Sequence, residues 1–156
     1  MRHAFGFLLG VLLAPALLYG AAWGFVQAAH SFDGAGHEIT DRTRMYGAFA
    51  LLAAVGLVMG VVIVARWASP LVSLVPALAL LGLSACFLVD PDRVLDLPGK
   101  VPPAGDLDTG LRVLMGSGVY ALMGFALLVP AWAPRRWGSG KDDEPASAGY
   151  YSASGR

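Results

Sequence analysis

The residues with the greatest capacity for chemistry lie in the segment 30–44. Its side chains His30, Asp33, His37, Glu38 and Asp41 are donors of the kinds that bind metal ions. The seven-residue spacing of the two histidines does not match the i, i+4 pair that places two ligands on one side of a helix, and glycines lie between them. We therefore favour a solvated loop and predict no metal and no cofactor. A membrane enzyme with its site at His30 and His37 is the competing interpretation.

A second acidic segment contains Asp90, Asp92 and Asp96. Carboxylate oxygens suit calcium, but an EF-hand loop needs a denser series of ligands and a central glycine, which this segment lacks. The prolines that accompany it, Pro91, Pro98, Pro102 and Pro103, favour a stiff surface connection. We predict no calcium site here.

Two further candidates are Cys86 and the polar end of the chain. Cys86 is the single cysteine, so it forms no internal disulfide, and it has no neighbouring histidine or acid in the sequence to make it a thiolate. In the tail, Lys141-Asp142-Asp143-Glu144 and Tyr150-Tyr151 could bind a cytoplasmic partner, but a disordered polar end is the interpretation we favour. No phosphate-binding loop, nucleophile elbow or zinc-protease motif occurs. We predict that the protein is not an enzyme.

The overall composition indicates a membrane protein. Hydrophobic residues make up 56% of the 156 residues and charged residues only 14%. A soluble domain of this size exposes too much surface to be covered by so few charges. The 11 basic and 11 acidic residues balance, so no basic excess suggests a nucleic-acid partner. The lipid bilayer is the expected partner.

Four runs without Asp, Glu, Lys, Arg or His predict the membrane spans. They cover 4–29, 45–65, 67–89 and 113–134, and each exceeds the roughly 20 residues of helix that cross a bilayer. We predict an all-α polytopic membrane protein, an antiparallel bundle of four transmembrane helices. The predicted units are a membrane domain over 1–134, with helices at about 4–29, 45–65, 70–89 and 111–133, and a disordered tail over 135–156.

Three finer expectations concern the ends of these runs. Because the connection at 66–70 is short, helices two and three should lie side by side as a hairpin. Asp108 or Thr109, which precede the fourth run, should cap helix four. The tyrosines and tryptophans, among them Trp23, Tyr46 and Tyr120, suit an interfacial belt. A cleaved signal peptide is the alternative for the first run, although its apolar stretch is about twice the usual 7–15 residues.

The orientation follows weakly from the basic residues. Placing both termini inside leaves five Lys and Arg residues on each side within about 15–20 residues of a span, so the positive-inside rule gives no decision. The amino terminus beside Arg2, and Arg135-Arg136 between two tryptophans, favour cytoplasmic termini in the plasma membrane.

Small residues at helical spacing predict where helices meet. Gly6 and Gly10, Gly20 and Gly24, and Gly56 and Gly60 form three Gly-x-x-x-Gly pairs, and such pairs let helix backbones approach closely. One interpretation is a dimer contact, and the other, which we favour, is packing within a single bundle.

The absence of ionisable residues from the four runs bears on function, because proton relays and ion pathways need such residues in the membrane. We therefore expect a non-catalytic scaffold, accessory subunit or envelope component that binds other membrane proteins or itself. The alternative is a small transport or channel component, a homo-oligomer that uses Ser73, Ser84 and Ser117.

The layout resembles small uncharacterised four-helix membrane proteins of actinobacteria. The likeness lies in Arg44 with the sequence Tyr46-Gly47-Ala48-Phe49, in the turn at 66–70, and in Asp90-Pro91-Asp92. It covers about a third of the chain and implies no activity.

Overall fold

In the computed structural model, the described residues are 2–65, 70–96 and 105–132, and they are almost entirely helical. We number the helices in chain order. They are α1 (Arg2–His30), α2 (Arg42–Val64), α3 (Pro70–Val89), α4 (Pro91–Asp96), α5 (Asp106–Gly116) and α6 (Val119–Leu128), followed by a 3₁₀ turn at Val129–Trp132. Two short antiparallel strands, β1 (Phe32–Asp33) and β2 (Glu38–Ile39), join α1 to α2. The all-α prediction is confirmed for the described residues apart from this small hairpin.

Within residues 2–65, 70–96 and 105–132, three single helices are long and apolar enough to cross a membrane. These are α1, with 29 residues, α2, with 23, and α3, with 20. At 1.5 Å per residue, even the shortest is about 30 Å long, which matches the hydrocarbon thickness of a bilayer. Pro70 is the first residue of α3, a position where the missing backbone N–H costs no hydrogen bond.

The fourth span differs from the expected single helix over 111–133. Two helices, α5 and α6, meet at an angle of 70° and could together form one broken span. Gly118 lies at the joint with a left-handed φ of 76°, a conformation that glycine adopts without a steric penalty. The helix begins earlier than expected, at Asp106 after Gly105, so Asp108 and Thr109 lie inside α5 and not at its cap.

The lengths of α5 and α6 show that a membrane span in this region would need both helices. The ten residues of α6 and the four of the 3₁₀ turn extend about 23 Å together, which is less than the hydrocarbon thickness. At 70° to α6, the 11 residues of α5 add only about 6 Å along the direction of α6. The sum is close to the thickness of the bilayer core.

α1 and α3 are the two helices on which the others pack. α1 contacts α2, α3 and α5, and α3 also contacts α4 and packs along α6. α2 and α3 are consecutive in the sequence but contact each other only slightly, in contrast to the expected side-by-side hairpin. The reason is that small residues of α1 accept side chains from α2 and from α3, so both helices pack on α1.

The buried core lies where α1, α3, α5 and α6 meet. Its members are apolar side chains with almost no exposed surface, among them Leu17, Ala22, Ala77, Leu80, Leu111, Leu114 and Leu127. Large apolar side chains also cover much of the outer surface, including Leu57, Val64, Leu122 and Val129. An apolar exterior of this extent is what lipid-facing helices present.

Candidate functional site

The glycines of α1 are in contact with two different neighbouring helices. A β-carbon placed on Gly10 would lie 2.9 Å from Cβ of Val75 and 3.0 Å from the carbonyl oxygen of Leu71, both in α3. A β-carbon on Gly24 would lie 2.8 Å from Cγ of Leu52 in α2. Real β-carbons do not approach other atoms this closely, so these glycines allow α1 to pack tightly on both helices.

The other two glycines predicted on α1 agree with this pattern. A β-carbon on Gly20 would lie 3.0 Å from Cγ2 of Val55 in α2, and Gly6 is buried. The glycines of α1 therefore make two separate contacts, since Gly10 in the first half of the helix faces α3 whereas Gly20 and Gly24 in the second half face α2.

The glycine pair of α2 is different. A β-carbon on Gly56 or on Gly60 would have no atom within 4 Å among the described residues. The side of α2 that faces α1 contains Ala48, Leu52 and Val55, and the glycine pair lies about a quarter-turn further around the helix. No described residue therefore covers the Gly56–Gly60 side of α2.

Two further close contacts involve glycines of α5 and α6. A β-carbon on Gly110 in α5 would lie 2.5 Å from the carbonyl oxygen of Ala22, and one on Gly124 in α6 would lie 2.8 Å from Cγ of Leu81. Gly124 belongs to the fourth uncharged run, whereas Gly110 fell in a predicted loop. Leu107, Leu111 and Leu114, at spacings of four and three, were the sequence signal for a helix around Gly110.

Tyr120 is a core residue and not a member of the aromatic belt. Its side chain is fully buried, and its hydroxyl donates a 2.8 Å hydrogen bond to the carbonyl oxygen of Leu18 in α1. A buried tyrosine hydroxyl needs such a partner in an apolar environment. This bond ties α6 to α1 close to the bend between α5 and α6.

The serines considered for a transport pathway donate to their own helices. The hydroxyl of Ser73 donates to the carbonyl oxygen of Pro70, that of Ser84 to Leu80, and that of Ser117 to Leu114. Ser73 is also buried in the core. These hydroxyl donors are engaged within one helix and not directed along a path through the protein.

The acidic loop residues serve local backbone structure. The carboxylate of Asp41 accepts a hydrogen bond from the backbone N–H of Arg44 at the start of α2, and Asp33 accepts one from the backbone of Ala35. Asp90 accepts one from the backbone of Arg93 at the start of α4 and also forms an ion pair with the Arg93 side chain. Among the described residues, no three His, Cys, Asp or Glu side chains are grouped so that they could hold a metal ion.

Cys86 is exposed on α3 and borders an open groove of about 530 Å³ between α3 and α4. Val89, Asp90 and Arg93 line the same groove. Several predicted features lie outside the described residues: the turn at 66–69, the connection at 97–104, and the tail that begins at 135.

Comparison of the chain with protein-family models, with curated proteins and with solved structures finds no match.

Proposed function

We propose that this chain is a multi-pass protein of the cell membrane, with both termini in the cytoplasm, that binds another membrane protein. In this role it acts without catalysis, as a scaffold, accessory subunit or envelope component. The observation that carries the proposal is the open Gly56–Gly60 side of α2. Every other Gly-x-x-x-Gly pair in the apolar helices has at least one glycine in contact with a neighbouring helix.

The chemistry of the bilayer supports this interpretation. Lipid tails are as apolar as leucine, so helices associate in membranes through close contact between backbones, and a Gly-x-x-x-Gly pair permits that approach. The exposed side chains nearest to the pair around the helix, Phe49, Leu57 and Val64, are apolar. A transmembrane helix of a partner, or of a second copy, would meet here an apolar surface without charged groups.

A photo-activated cross-linker at Leu57 tests the proposal. Leu57 is 69% exposed and lies between the two glycines in sequence, and Leu78 on α3, which is 56% exposed, is the matched control position. We expect a discrete protein adduct in native membranes from position 57 and none from position 78. An adduct of twice the 16.3 kDa chain mass identifies a second copy, and any other mass identifies a different partner.

A pair of glycine variants makes the test specific. Gly60→Ile places a branched side chain on the open surface, whereas Gly82→Ile does the same on α3, where Gly82 also faces open space but has Cys86 and not glycine four residues on. The adduct should disappear with Gly60→Ile and persist with Gly82→Ile. If position 57 yields lipid adducts alone, the chain does not act through this surface.

The alternative, a small transport or channel component, receives less support from the contacts. A homo-oligomeric pore would turn polar groups toward a shared path, but the hydroxyls of Ser73, Ser84 and Ser117 donate to carbonyl oxygens of their own helices. Solute flux through the reconstituted protein, lost on Ser84→Leu, would favour transport instead.

A further inference from the structure

The hairpin between α1 and α2 has one apolar pair and one acidic pair. Phe32 is opposite Ile39, and Asp33 is opposite Glu38. Residues directly opposite each other in antiparallel strands share a face, and successive residues alternate between faces. The side chains of Phe32 and Ile39 therefore point to one side of the hairpin, and the two carboxylates point to the other.

The apolar pair is exposed in the isolated chain. Phe32 is 47% exposed and Ile39 is 46% exposed, although the two lie side by side. Two large apolar side chains on a two-residue hairpin would be unfavourable in water, since so small an element cannot bury them by itself.

The hairpin is fixed to the ends of the two spans. The hydroxyl of Ser31 donates to the carbonyl oxygen of Gln27, and the backbone of Thr40 donates to the carbonyl oxygen of Ser31. The side chain of Arg44 donates to the amide oxygen of Gln27, which ties the first turn of α2 to the last turn of α1. These bonds hold the hairpin at the level where both helices leave the membrane.

The apolar pair is also the part of the hairpin nearest to the membrane. Phe32 lies two residues after His30, and Ile39 lies three residues before Arg42. At about 3.3 Å per residue, neither can be more than about 10 Å from the end of a helix. The acidic pair lies one residue further from the helices on each strand.

The apolar face lies outside the packed part of the protein. Ser31, between the end of α1 and the hairpin, is fully buried and bonded back to α1, whereas Phe32 and Ile39 beyond it keep nearly half of their surface exposed. Exposed aromatic residues occur at the same ends of the two helices, with Trp23 in the last third of α1 and Tyr46 near the start of α2. Aromatic side chains at this level are typical of the layer of lipid headgroups.

We infer that the Phe32–Ile39 face of the hairpin packs against the headgroup layer of the bilayer, and that the Asp33–Glu38 face meets water. The hairpin then acts as an interfacial anchor that sets the depth of α1 and α2 in the membrane. This inference rests on the membrane placement of α1 and α2 in the proposed function and is independent of the partner contact at Gly56 and Gly60.

Spin labels on the hairpin test the inference. The full chain with Cys86→Ala receives a single cysteine by Phe32→Cys, Ile39→Cys, Asp33→Cys or Glu38→Cys and is reconstituted in equimolar phosphatidylethanolamine and phosphatidylglycerol vesicles. Electron paramagnetic resonance measures collision of each label with oxygen, which concentrates in lipid, and with a water-soluble nickel complex. The oxygen-to-nickel collision ratio should be severalfold higher at positions 32 and 39 than at positions 33 and 38.

The acidic positions are the matched controls, and Leu57→Cys is the control for membrane placement. Equal ratios at all four hairpin positions, with Leu57→Cys still rich in oxygen collisions, would overturn the anchor and leave the membrane placement intact. Labels at 32 and 39 that reach neither reagent would show that protein covers this face, which also contradicts the inference. If Leu57→Cys itself meets nickel, the membrane placement fails and the anchor fails with it.

Discussion

α1 and α2 are both apolar helices with Gly-x-x-x-Gly pairs, yet their glycines have different surroundings. Those of α1 accept side chains from two helices, with Gly10 against Val75 and Gly24 against Leu52. Those of α2, Gly56 and Gly60, face open space in the described part of the chain. The comparison teaches that the motif marks a capacity for close approach, and that its use within or outside the protein depends on which helix lies beside it.

The largest expected effect on stability comes from adding a side chain to a glycine that lies against the backbone of a neighbouring helix. Gly110→Val should destabilise the fold by about 3 kcal/mol or more, because even the β-carbon would lie 2.5 Å from the carbonyl oxygen of Ala22, which cannot move without shifting α1. Unfolding in mixed micelles titrated with dodecyl sulfate measures the change. Gly56→Val is the control, and a loss of similar size there would remove the distinction between occupied and open glycines.

A smaller effect is expected where the neighbour is a side chain. Gly24→Leu should cost about 1–3 kcal/mol of unfolding free energy, because its β-carbon would lie 2.8 Å from Cγ of Leu52, which has some freedom to shift. Gly60→Leu should change the same quantity by no more than about 0.5 kcal/mol. The same unfolding titration compares the two, and equal costs would show that the open side of α2 is packed.

A third glycine separates open space from backbone strain. Gly118 has no atom within 4 Å of its β-position, but its φ is 76°. Gly118→Ala should therefore cost about 1–2 kcal/mol through the left-handed backbone alone. Gly116→Ala, whose β-carbon would make an ordinary 3.9 Å contact with Phe87, serves as the control. A neutral Gly118→Ala variant in the unfolding titration would indicate that α5 and α6 can straighten into one helix.

The smallest expected effect tests the polar contact between α6 and α1. Tyr120→Phe removes the hydroxyl that donates to Leu18 and keeps the ring, so it should cost about 0.6 kcal/mol, the typical value for such a bond between membrane helices. Tyr46→Phe, at an exposed tyrosine, should leave the free energy of unfolding unchanged. A loss of several kcal/mol in Tyr120→Phe would mean that this hydrogen bond contributes as much to the fold as the glycine contacts do.

The apolar helices could be predicted from the sequence because a run of about 20 uncharged residues has few alternatives to a membrane helix. The bend in the fourth run could not be predicted. Gly118 at the joint has a left-handed backbone conformation and Gly124 a helical one, but the two are the same residue type, so the sequence does not record that difference. Gly110 was missed because the segment that precedes it is rich in Pro and Asp and suggested a loop, whereas Asp108 forms an i, i+4 ion pair with Arg112 on one side of α5.

The residues of the candidate surface, Gly56 and Gly60, could be predicted from the sequence, but not that their side of α2 is open. The spacing of Gly56 and Gly60 indicated a helix contact, and the spacing on α1 indicated the same, so the three pairs could not be told apart by their residue types. The hairpin that carries Phe32 and Ile39 was predicted only as a polar loop, since two strands of two residues leave too short a pattern to detect.

The sequence by itself determined that this protein has long apolar helices without Asp, Glu, Lys, Arg or His in them, because these properties depend only on residue type and on the length of each run. The tertiary structure decided which helices pack on each other, which glycines contact a neighbouring helix and which side of α2 stays open. Close packing is a property of two surfaces together. Whether a pair of glycines is in contact depends on the helix that lies beside it, and no single segment of sequence contains that information.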